Sequence, residues 1–180
     1  QEVEAVASLV LREFQRESQK LGLNAKLLVE NTSTTAAVIA KERGVLRQKL
    51  LPLKTTLDLD LIKVVNAKGE VLIDLRSRRS MELKIDDTVA ISQVVNGVDF
   101  SSIIKSQNAS ILIGTAPIKS AKGVIGGIII GTVVSEELLW EIIKETREEI
   151  VAFQEGTIIA STLADADRFS WKLPPEKVEG

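Results

Sequence analysis

Two hydrophobic periods divide this chain near Asp60. Before that point apolar residues return every three or four positions. In QEVEAVASLVLREFQRESQKLG, Val3, Val6, Ala7, Val10, Phe14 and Leu21 share one side, and Glu13, Arg16, Glu17 and Lys20 take the other. This is the repeat of an amphipathic helix. Gly22 reads as its stop, so a separate helix is expected over Ala25–Glu30. The cluster NTST then offers N-cap oxygens to a third helix over Ala36–Glu42. A fourth, Val45–Thr56, carries Leu46, Leu50, Leu53 and Leu57 on one side, with Pro52 placed to kink or divide it.

From Asp60 the period changes to that of strands. LIKVVN and EVLIDL flank Ala67-Lys68-Gly69, a short turn with Gly where a positive φ is needed. ASILIGTAPIKS and GVIGGIIIGTVVS pair in the same way around Ala121-Lys122-Gly123. Between these hairpins, DDTVAISQVVNGVDFSSIIKSQ reads as a polar crossing, helical in parts. Ser135 with Glu136 and Glu137 opens a further helix to about Glu149. A last hairpin of EIVAFQ and TIIAS turns at Glu155-Gly156, and the tail to Gly180 reads as loop.

Composition narrows the chemistry. The chain has 180 residues, 44% hydrophobic and 27% charged, enough for one substantial core. A net charge of −2 and 3% aromatics argue against a nucleic-acid partner, which needs a basic footprint or stacking platforms. There is no His, Cys or Tyr. Thiolate nucleophiles, Ser-His-Asp triads and Cys/His metal sites are therefore closed to this chain acting alone. No catalytic residue, metal ligand set or cofactor is assigned, and the chain is read as non-enzymatic. The longest apolar run, VIGGIIIGTVV, is shorter than the roughly 18 residues of a membrane helix, and it is β-branched and Gly-punctuated like a buried strand. A start at Gln1 reads as an excised segment whose membrane anchors lie outside it.

The strands LDLIKVVNAKGEVLIDL, the ASILIGTAPIKS/GVIGGIIIGTVVS pair and the phrase EIVAFQEGTIIASTL give the chain its family resemblance. It resembles the extracytoplasmic Cache domains of bacterial receptors, which are PAS-like sensors. The resemblance implies an α+β fold, with a central antiparallel sheet, a long N-terminal helix and helices covering one face. It implies a sensor module over 1–148, and a hairpin and tail over 149–180 that would open a second module. The expected function is then an extracytoplasmic, ligand-sensing input domain of a membrane receptor, feeding a histidine kinase, chemoreceptor or nucleotide cyclase. Amino-acid-sensing members rely on a Tyr-containing motif, which this chain lacks.

Candidate ligand residues follow from donor chemistry. Arg76, Arg78 and Arg79 cluster after the second strand in LIDLRSRRS, and Arg offers a planar fork of donors to carboxylates. Ser77 adds a hydroxyl, and Thr115 and Lys119 on a later strand could add a hydroxyl and an ammonium. The expected ligand is a small organic anion. The other reading of the same arginines is a solvated loop with salt bridges to Glu82, Asp86 or Asp87. Ser102–Lys105 matches SxxK but lacks the other elements of a serine acylase. Asp58/Asp60 and Asp165/Asp167 read as caps and turns. The N-terminal helix could also pair with its copy in a homodimer, and the second reading of the chain is a ligand-free PAS-like dimerisation or interaction module.

Overall fold

The computed structural model describes residues 2–30, 32–106, 109–135, 157–159 and 170–172. The chain forms two compact units: Gln15–Val133, and Gln1–Phe14 together with Val134–Gly180. The larger one opens within helix α1 (Glu2–Val29), followed by α2 (Thr32–Ile39) and α3 (Arg43–Thr56). Strands β1 (Leu61–Asn66) and β2 (Val71–Arg76) come next, then the short α4 (Arg78–Met81) and α5 (Thr88–Val95). Strands β3 (Phe100–Lys105), β4 (Ser110–Ser120) and β5 (Gly123–Val133) complete it.

The five strands form one antiparallel sheet in the order β2-β1-β5-β4-β3. Both expected hairpins are present, with Gly69 at φ +79° and Gly123 at φ +108° in their turns. Asn66 fixes the first turn by accepting from the Lys68 and Glu70 amides at 2.9 and 3.0 Å. Strand β1 is buried along its whole length, because β2 and β5 flank it and both faces are covered.

The leading helices cover the face that carries Gly114 and Gly126. Leu21, Ala25 and Leu28 of α1 are buried at helical spacing, and Val38 of α2 stands over Gly126. α3 packs along β1 and β2 with Leu46 and Leu50 buried. The opposite face holds Leu61, Ile111, Ile113, Ile129 and Val133, packed with Ala90 of α5 and flanked by Leu83, Ile85 and Ile91.

Four sequence expectations are corrected. Gly22 does not end the first helix, which continues to Val29. A Cβ on Gly114 would lie 2.1 Å from the Gly22 nitrogen, so the two glycines are where α1 crosses β4. That close approach outweighs the cost of about 1 kcal/mol for Gly in a helix. The third helix begins at Thr32 and ends at Ile39, with Lys41 at φ 54° breaking the chain before α3. α3 runs through Pro52 undivided. Phe100–Lys105 is a strand, although FSSIIK lacks clean alternation; its pairing with β4 supplies the order.

In the smaller unit, β6 (Thr157–Ile159) pairs antiparallel with β7 (Ser170–Lys172), Ile158 opposite Trp171. The second member places a strand where the tail was read as loop. The expected helix after Ser135 and the strand EIVAFQ lie outside the described residues.

Candidate functional site

A buried carboxylate organises the end of the sheet where β1 begins and β5 ends. Asp60 is 1% exposed. Its Oδ1 accepts from Ser77 Oγ at 2.5 Å and from Arg79 Nε at 3.1 Å. Its Oδ2 accepts from the Val133 amide at 2.8 Å. The backbone joins in: the Asp60 amide donates to the Gly131 carbonyl, and the Asp60 carbonyl accepts from the Ser77 amide and from Ser80 Oγ. A buried charge persists only when paired and hydrogen-bonded. Here every partner of the carboxylate is a donor, so one side chain ties β1, β5 and the β2–α4 corner together.

Arg76 closes the other side of that corner. It is paired with Asp74 (Nε to Oδ1 3.1 Å) and donates from Nη1 to the Leu83 carbonyl at 2.9 Å. Its guanidinium thus braces the segment that leads from α4 toward α5. Two hydrogen bonds from Thr88, side chain first and backbone second, hold the exposed Asp86 carboxyl below the ordinary carboxylate range and fix the approach to α5.

Deeper on the same face, Lys63 is 6% exposed in the middle of β1. Its ammonium donates to Asp87 Oδ2, with Asp74 Oδ2 3.9 Å away. Strand register sets Phe100, Thr115, Ile129, Lys63 and Asp74 in one cross-strand row. The helix-start residue Asp87 therefore anchors α5 to β1 through a desolvated ion pair. Beyond the sheet's edge, α3 and β2 bound an open cleft of about 370 Å³, with Arg47, Lys54 and Arg76 on its walls.

No protein-family model matches the chain, and no characterised protein matches it in sequence. Solved structures do match in fold. The periplasmic domain of Vibrio cholerae LuxQ superposes with a TM-score of 0.52 at 14% identity, over 79% of this chain and 68% of that one. The E. coli DcuS sensor domain superposes with a TM-score of 0.52 at 17% identity, over 77% of this chain and 98% of that one. This chain has the PAS-like fold of periplasmic sensor domains. Among the described residues, no helix is long and apolar enough to cross a membrane, and no cluster of acidic side chains is arranged to hold a metal ion.

The fold places the six candidate residues in four settings. Ser77 and Arg79 meet at Asp60, with Arg76 braced beside them on Asp74. Arg78 on α4 is exposed, with no side-chain partner among the described residues. Thr115 is fully buried on β4, where its Oγ1 accepts from the Phe100 amide at 3.1 Å. It stands three strands from β2, about 14 Å at normal strand spacing. Lys119 is exposed beside the β4–β5 turn. Neither residue reaches the arginine corner. Ser102 and Lys105 lie three apart on β3, so they point to opposite faces and cannot act together.

The sequence offered Asp60 only as a cap or turn residue and Asp87 only as a partner for the arginine loop, and it did not single out Lys63, Arg47 or Lys54. A signal was present for Lys63: a single cation inside the apolar run LIKVV must find a partner if the strand is buried. Nothing local identifies which carboxylate it takes.

Proposed function

We propose that this chain is the extracytoplasmic input domain of a membrane receptor, binding a small organic anion and relaying occupancy through its flanking helices. The observation that carries the reading is the fold: a β2-β1-β5-β4-β3 sheet with a long leading helix, like the periplasmic sensor domains of LuxQ and DcuS. The candidate anion donors are Arg76, Arg78, Arg79 and Ser77 at the β2–α4 corner. Arg79 and Ser77 already serve Asp60, so an anion captured there competes with Asp60 and loosens the tie between that corner and β5. This competition supplies the differential affinity that a ligand needs to shift a conformational equilibrium.

A thermal-shift screen of small acids, amines, sugars and amino acids tests the reading. A ligand at a hundredfold its Kd adds about 2.7 kcal/mol, a rise in Tm of roughly 5–10 °C for a chain of this size. The second reading is a ligand-free interaction module. It is favoured by the closure of one sheet face, where Leu83, Ile85 and Ile91 pack on the Leu61–Ile113–Ile129 cluster. A screen with no hit, together with concentration-dependent self-association, would select it.

A further inference from the structure

We infer that the cleft between α3 and β2 is a binding site for a short linear anion with an acidic group at each end. The inference deepens the sensor reading and rests on it. It assigns the anion to residues of α3 that the β2–α4 corner does not include.

Arg47, Leu51 and Lys54 line one wall. They follow one another by four and three residues, so a single stripe of α3 carries cation, apolar group and cation. The two charged ends are separated by about 10 Å of helix axis, with Leu51 between them. Across the cleft stand Asp74 and Arg76 of β2, and Met81 of α4. Asp74 is already neutralised by Arg76 at 3.1 Å. Arg47 and Lys54 have no side-chain hydrogen bond or ion pair among the described residues.

The cleft therefore presents two uncommitted cations in a chain whose net charge is −2. Leu51 is 40% exposed and Met81 65% exposed. These two apolar side chains also line the cleft, and a compact anion such as phosphate would bring no surface to match them. A methylene chain with a carboxylate at each end would bury against them while each end meets a cation. Charge-assisted hydrogen bonds to the Arg fork and the Lys ammonium would set the two ends.

Isothermal titration of the 180-residue chain with glutarate and adipate, at fixed ionic strength in chloride, tests the site. Butyrate and inorganic phosphate are the comparators. The dianions should bind about tenfold or more tighter than either comparator. Arg47→Gln and Lys54→Gln should each weaken dianion binding about tenfold, with the circular dichroism spectrum unchanged because both side chains lie outside the core. No heat of binding from either dianion, or an unchanged Kd in the double variant, would overturn the site. A screening hit that binds the double variant at full strength removes this site and leaves the sensor reading standing. A broad screen with no ligand of any class removes the sensor reading itself.

Discussion

The Asp60 side chain joins three residues of the chain: Val133 of β5, Ser77, and Arg79 of α4. Its carboxylate faces only donors: the Val133 amide on one oxygen, Ser77 Oγ and Arg79 Nε on the other. An amide in its place must turn an NH2 toward one of them. Asp60→Asn is therefore expected to cost about 1–3 kcal/mol, and Asp60→Ala about 3 kcal/mol or more, because buried donors then go unpaired. Urea denaturation checks both, and a shift of the midpoint at unchanged slope is the expected form. Arg79→Ala should cost less, since its side chain is 44% exposed and solvent replaces part of the interaction. Equal stability of Asp60→Ala and the parent would show that the corner holds without the carboxylate.

At the level of elements, the crossing of α1 over β4 decides how the leading helices meet the sheet. A Cβ at Gly114 would stand 2.1 Å from the Gly22 nitrogen and 2.3 Å from the Leu21 carbonyl carbon. Both obstructing atoms are backbone, so no rotamer change relieves the clash. Gly114→Ala should destabilise by roughly 3 kcal/mol or more, above the usual overpacking range, because the helix itself must move. Gly44→Ala is the control: a Cβ there meets nothing within 4 Å, and its helical position favours Ala by up to about 1 kcal/mol. The comparison is read by thermal unfolding of the two variants. On the opposite face, Asp87 and Lys63 hold α5 to β1, so the two layers are fixed by different physics, close backbone packing on one side and a desolvated ion pair on the other. The two hairpins were legible because alternation and Gly turns are local signals. β3 was not legible, since Ser101 and Ser102 interrupt its alternation and its order comes from β4.

For the molecule as a whole, sheet order predicts where stability concentrates. β1, β5 and β4 occupy the interior of the sheet, while β2 and β3 are its edges. Native-state hydrogen exchange should show the slowest amides at Val64, Ile113 and Ile129, and markedly faster exchange in Ser101–Lys105. Uniform protection across all five strands would contradict the layered arrangement. Of the two edges, β2 is the one that adjoins the β2–α4 corner and the α3 cleft.

The chain's own order of residues determined the α+β class, the two hairpins with their turns, and the helical block ahead of them. These depend on periodicity and on backbone preferences within a few residues. Tertiary structure alone decided the partners. It gave Asp60 to Ser77, Arg79 and Val133, and Lys63 to Asp87. It kept α1 continuous through Gly22, left Thr115 and Lys119 apart from the arginine corner, and set Arg47 and Lys54 across a cleft from β2. Charge pairing and close packing are settled by which distant segments are brought together, and that information lies in the register of the sheet rather than in any local window of sequence.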